Sequence, residues 1–115
     1  MSEHTILERL AATIHRRRSE SAGKSYTRQL LDGGPARCAK KFGEEAVETV
    51  IAATGQDAEA LTNEAADVLY HLLVLLESRD IALGDVLAVL EKRQGMSGLE
   101  EKASRVAPLA PGGKP

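Results

Sequence analysis

Apolar residues recur along most of the chain three and four positions apart, the period of a helix, and strand signals are absent. Ile6, Leu7, Leu10, Ala11 and Ile14 follow this spacing from the segment Thr5-Ile6-Leu7-Glu8, which has the form of a capping box, and predict a first helix to about Glu20. The segment 21–24 includes Gly23 and reads as a loop. The segment 25–31 then makes a short helix ended by Gly33 and Gly34. Pro35 suits a first helical turn, where its missing N–H costs nothing, and the run 35–54 ends at Gly55. Asp57 can cap a fourth helix to about Ser78, and Gly84 and Asp85 can start a fifth through Arg93, stopped by Gly95. The expected fold is all-α, an antiparallel bundle of about four to five helices.

The third helix has an unusual distribution of charge. On a wheel of about 100° per residue with Glu44 at zero, Glu48 falls at about 40° and Glu45 at about 100°. Ala46, Val47, Val50 and Ile51 project between roughly 200° and 340°, which assigns them to the core with the acidic arc at its edge. Gly43, inside this helix, costs about 1 kcal/mol against alanine and suggests close approach of another group. In the fourth helix, with Glu64 at zero, Asp67 lies at about 300° and His71 at about 340°. The stretch 68–76 is apolar on every side apart from His71, the pattern of a helix buried all round.

Glu64 and Asp67 therefore open a buried helix, where acidic side chains need partners. The Gly55-Gln56 connection is short and favours an antiparallel pair, so Glu45, Glu48, Glu64 and Asp67 can converge. Two negative charges about 4 Å apart repel by about 4 kcal/mol at an effective dielectric of about 20, so such a cluster calls for cations. Hard oxygen donors without cysteine suit Mg²⁺, with Mn²⁺ as a substitute, and Mg²⁺ commonly binds phosphates together with a few carboxylates. The alternative is a solvated acidic face with Glu64 in a first turn favoured by the helix dipole. His71 reads either as a hydrogen-bonded core histidine or as a ligand.

Length and composition bound the rest. The 115 residues, 43% hydrophobic and 28% charged, suit one soluble domain at 1–106. Three of the four prolines and two glycines fall in a tail, 107–115, expected to be disordered. A chain this short buries only about two-thirds of its surface, which favours burying surplus apolar area between subunits. A net charge of -2 offers no general attraction to nucleic acid, and Arg16, Arg17 and Arg18 read as a solvated helix end. The single cysteine, Cys38, excludes an intrachain disulfide and reads as packing, consistent with a reducing cytoplasm. Glu3 and His4 do not fit a signal peptide, and the apolar stretch 68–76 is too short to span a bilayer.

Glu44-Glu45-x-x-Glu48, followed after 15 intervening residues by Glu64-x-x-Asp67, resembles the signature of the MazG-like all-α nucleotide pyrophosphatases. The wider pattern resembles the phosphoribosyl-ATP pyrophosphatases: Ser25-Tyr26-Thr27 with Leu30-Leu31, then the segments 40–48, 64–76 and 97–105. It covers residues 5–106. The resemblance implies a Mg²⁺-dependent hydrolase, completed by homodimerisation. Its water attacks the α–β phosphoanhydride of phosphoribosyl-ATP to give phosphoribosyl-AMP and pyrophosphate, the second step of histidine biosynthesis. Carried over by position, Glu45, Glu48, Glu64 and Asp67 are the metal ligands, and Glu44 is a ligand or the group that orients water.

Lys40 and Lys41 precede the acidic arc, and Lys41 is placed to reach a phosphate or to pair with a glutamate. Arg93, Ser97, Lys102 and Arg105 suit phosphoribosyl or triphosphate groups, or surface charge. Tyr26 and Thr27 suit ribose or base, or packing. The phosphoribosyl-AMP cyclohydrolase domain often fused to this family is expected to be absent. Two rivals remain: a house-cleaning pyrophosphatase for nucleoside triphosphates, and a non-catalytic helical dimerisation module with an acidic face.

Overall fold

The computed structural model describes residues 5–21, 23–95 and Lys102. The Pro/Gly-rich tail expected at 107–115, together with Ser97 and Arg105, lies outside the described residues. Among the residues 5–95 that are described, five helices and no strand form the fold: α1 (Ile6–Arg17), α2 (Tyr26–Asp32), α3 (Gly34–Gly55), α4 (Ala58–Ser78) and α5 (Leu83–Arg93). Met1–Leu83 makes one compact unit, with α1 to α4; Gly84–Pro115 makes a second, which carries the rest of α5. Among the described residues no helix is long and apolar enough to cross a membrane.

Local chemistry sets most helix ends. The capping box at α1 is formed in both directions: Glu8 N–H donates to Thr5 Oγ1 at 3.2 Å and Thr5 N–H to Glu8 Oε1 at 2.7 Å. α1 ends at Arg17, short of the predicted Glu20, where the N–H groups of Arg18, Ser19 and Glu20 donate three residues back to the His15, Arg16 and Arg17 carbonyls in a tighter turn. The Arg18 guanidinium donates to Glu77 at 2.8 Å and to Asp80 at 2.9 Å, so this arginine is a tether to α4 rather than part of a solvated helix end. In the following loop the Arg28 guanidinium donates to the Arg18 and Glu20 carbonyls and to the Asp32 carboxylate. Buried Ser25 caps α2 by accepting from Arg28 N–H.

Gly33 ends α2 and caps α3 at once, and Gly34, at φ 84°, takes the left-handed backbone that other residues adopt only with strain. α3 accordingly begins one residue before Pro35. Asp57 caps α4 as expected, its Oδ1 accepting from Ala60 N–H at 2.9 Å. At the other end of α4, Ile81 N–H donates to Leu76 C=O and Asp80 N–H to Glu77 C=O, a Schellman closure. Its left-handed position is filled by Asp80, at φ 58°, where glycine is usual.

α3 and α4 make the main packing pair, and they run antiparallel: Thr49 meets Glu64 while Cys38, earlier on α3, meets Ser78, later on α4. Ile14, Leu30, Cys38, Leu73 and Val74 form the buried core, with Leu7, Leu10, Tyr70 and Leu76 packed against it. The Cys38 thiol donates to the Leu30 carbonyl at 3.2 Å, and burial pushes its pKa up, as fits a packing cysteine rather than a nucleophile.

One expectation is overturned. Val47, Val50 and Ile51 do not enter the core but are 59%, 61% and 51% exposed. The face that α3 turns inward carries Cys38, Glu45, Thr49 and the buried Ala52, at roughly 80° to 140° on the wheel used above. That puts the valines and Ile51 on the opposite side. α4 is likewise not buried all round, since Leu69 is 43% exposed. A Cβ at Gly43 would meet nothing within 4 Å among the described residues. Leu30→Ala, which empties a fully buried site, is expected to lower unfolding free energy by about 3 kcal/mol in urea titrations, with the m-value unchanged.

Candidate active site

Glu45 and Glu48 project from α3 and Glu64 from α4, and each offers an oxygen to a cluster whose members lie within 4.8 Å of one another. Glu45 and Glu64 are half-buried and Glu48 is exposed. Asp67, one turn beyond Glu64, stands outside this trio and is exposed, yet its charge still acts on Glu64. The expected convergence of four carboxylates is thus three gathered within 4.8 Å and one outside that group. Thr49 fixes the level of the two helices: its hydroxyl lies 2.9 Å from the Glu45 carbonyl and 3.3 Å from the Glu64 carbonyl, its proton shared between the two.

Glu64 is the least satisfied member. Its Oε1 is buried with no hydrogen-bond partner among the described residues. Burial first, then the charges of Glu48, Asp67 and Glu45, hold its carboxyl above the ordinary carboxylate range. Such a group gains by acquiring a proton or a metal ion, and only oxygen donors are offered here, as a hard divalent cation prefers.

Glu44 does not join the trio. It pairs with Lys41 at 3.4 Å and Lys40 at 3.8 Å. Lys41 thus pairs with a glutamate; its ammonium is held above its usual value by Tyr26 first and then by Glu44. Thr27 is buried, with its hydroxyl 2.6 Å from the Tyr70 hydroxyl, whereas Tyr26 is 52% exposed and stacks on Tyr70. His71 is buried behind them, edge-on to Tyr26 and Tyr70, with ring centroids at 6.3 and 5.0 Å. Burial lowers its pKa, and the Glu45 charge partly opposes this. Arg93 and Lys102 belong to the second unit, where Lys102 is exposed.

Two site residues escape a reading of the sequence. Thr49 is signalled only by its position one turn after Glu45, and Tyr70 is hidden in an apolar run where an aromatic reads as packing.

Residues 7–94, which include every member of the trio, match the model of the family described as phosphoribosyl-ATP pyrophosphohydrolase. The chain belongs to the phosphoribosyl-ATP pyrophosphohydrolase family. It is 56% identical over 101 residues to the phosphoribosyl-ATP pyrophosphatase of Cereibacter sphaeroides, an alignment covering 88% of this chain and 98% of that one. The enzyme of the same name from Dinoroseobacter shibae is 57% identical over 101 residues, covering 88% and 99%. Phosphoribosyl-ATP pyrophosphatase 1 of Rhodopseudomonas palustris is 59% identical over 99 residues, covering 86% and 92%. The family is one of hydrolases, and the resemblance found in the sequence extends over its site.

Because the Glu64 carboxyl is raised in the folded chain, its ionisation opposes folding at neutral pH, and this burden disappears once acid protonates it in both states. Metal-free Glu64→Gln is therefore expected to melt at a higher temperature than the parent chain at pH 7 to 8, with the advantage gone in acid below the ordinary carboxylate range. Thermal melts across that range check it, and an equal or lower melting temperature at neutral pH would count against a strained carboxylate.

Proposed function

We propose that this chain hydrolyses phosphoribosyl-ATP to phosphoribosyl-AMP and pyrophosphate in the cytoplasmic histidine pathway, with Mg²⁺ at the α3–α4 carboxylates and Mn²⁺ as a substitute. The observation that carries the site is the buried, unpartnered Glu64 oxygen set against Glu45 and Glu48. The substrate is proposed on the family match and the named relatives. Glu45, Glu48 and Glu64 hold the ion, joined by Asp67 from the next turn of α4. Bound Mg²⁺ supplies positive charge beside the phosphates and makes water a usable nucleophile at neutral pH.

In this reading the water oxygen forms a bond to the α-phosphorus, the bond to the bridging oxygen breaks, pyrophosphate leaves, and the proton lost by the water passes to solvent. Glu44 orients the water. It can do so when Lys40 and Lys41, its partners in the free chain, turn to the substrate phosphates. Tyr26 contacts the nucleoside, and Thr27 supports it from the interior.

A second copy of the chain covers the outer stripe of α3. Val47, Val50 and Ile51 are each more than half exposed, and a chain of 115 residues has little core of its own to spare. The same face supports a homodimer more than a nucleic-acid partner, since it carries no charge at these positions.

Pyrophosphate release from phosphoribosyl-ATP is expected to require Mg²⁺ and to fall by at least about 100-fold in Glu48→Gln, which removes a ligand charge without changing side-chain size. Release from deoxynucleoside triphosphates alone would leave the site and replace the substrate; release indifferent to Mg²⁺ would remove the metal reading. Val50→Glu is expected to convert a dimer into a monomer in sedimentation experiments. A parent chain that sediments as a monomer at micromolar concentration would dismiss the second copy.

A further inference from the structure

The start of α2 shows a feature that hydrolysis alone does not explain. Ser25 and Thr27 are 4% and 1% exposed, while Tyr26 between them is 52% exposed. A tyrosine recruited for packing is buried with its neighbours; this one is turned outward by two buried anchors. Its ring lies nearly parallel to that of Tyr70, centroids 6.5 Å apart and planes 18° from each other. The Tyr70 hydroxyl is bound by Thr27 at 2.6 Å, and the His71 ring stands edge-on to both tyrosines. The Lys41 charge acts on Tyr26 and His71, and the Glu45 charge acts on His71.

We propose that Tyr26, stacked on Tyr70, is a ledge for the purine base of the nucleotide, and that Tyr70 is a positioning residue which fixes the ledge through its hydrogen bond to Thr27. A half-exposed aromatic face beside a cation suits a flat, π-rich ligand bearing phosphate, because stacking needs only a ring face and the ammonium meets the anion. Tyr70 holds Tyr26 in two ways. Its ring backs the stack, and its hydroxyl pins the residue next to Tyr26, which sets the angle at which α2 presents the outer ring. This inference rests on the proposed nucleotide hydrolysis and names where the base sits.

The chain has two tyrosines and no tryptophan, so its entire tyrosine emission arises from this ledge. Titration of the full-length protein in Mg²⁺ with AMP is expected to quench that emission saturably, while ribose 5-phosphate, which lacks the base, leaves it unchanged. In pyrophosphate-release kinetics, Tyr26→Ala is expected to raise KM about tenfold with kcat within about twofold, and Tyr26→Phe to retain the parent KM. Tyr70→Phe is expected to raise KM about threefold, and adding Thr27→Val to it to change KM no further, as for two ends of one hydrogen bond. A merely structural role for Tyr70 would lower the melting temperature and leave KM alone.

Equal responses to AMP and ribose 5-phosphate, or an unchanged KM in Tyr26→Ala, would overturn the ledge. AMP quenching in a chain that releases no pyrophosphate from phosphoribosyl-ATP would keep the ledge and discard the substrate.

Discussion

The structure depends on an unfavourable interaction, the facing of two α3 carboxylates and an α4 carboxylate across a helix pair. Glu64 has one oxygen out of water and unbonded, with Glu45 and Glu48 beside it. Charges a few ångströms apart in partly buried surroundings repel by several kcal/mol, which the remaining contacts of α3 and α4 must offset. Those contacts are visible. Cys38 and Ala52 pack on the inner face of α3, Leu73 and Val74 are buried on α4, and the Thr49 hydroxyl lies against both helices at the level of the carboxylates. Glu45 is therefore placed by the packing on either side of it along the same face, and the repulsion is held rather than relieved.

Turning Glu45 inward has a consequence on the other side of the helix. A helix has one inner face, and where part of it is given to acids the apolar residues displaced from it must lie elsewhere. Val47, Val50 and Ile51 emerge on the outside of α3. In the proposed dimer this is no waste, because the stripe that the carboxylates exclude from one core becomes the surface that joins two chains. Site and assembly are then two results of a single rotation of α3 about its axis.

That rotation is what the sequence conceals. A wheel gives the angles between residues but not which direction is inside, and the rule that apolar arcs face the core chose the wrong arc for α3. The ends of the helices were far more legible, because Thr5 with Glu8, Asp57 and the Gly33-Gly34-Pro35 turn act on their own neighbours. Asp80 and Arg18 were not, since each owes its role to a partner more than fifty positions away or across a turn: Arg18 bonds Glu77 and Asp80, and Asp80 fills a left-handed site where glycine is usual. The trio of carboxylates was readable for a different reason. Glu64 opens a helix that is otherwise apolar, and that conflict is present in the order of residues alone. Which alternative Lys41 and His71 take depends on side-chain direction, which spacing does not encode.

The order of events in a binding cycle can be argued from the same repulsion. In the free chain Lys40 and Lys41 pair with Glu44, outside the trio, so they do little to relieve Glu64. Anything that brings positive charge to Glu45, Glu48 and Glu64 stabilises the fold as it binds, because ligand that prefers the folded state adds its binding free energy to stability. A substrate rich in phosphate then finds two lysines paired only with exposed or half-exposed glutamate, a pairing worth little in water and easily exchanged. In the proposed reaction, metal before phosphate is then the favoured sequence: the ion meets carboxylates already gathered by the packing of α3 on α4, and the phosphates meet lysines whose surface pairs exchange easily.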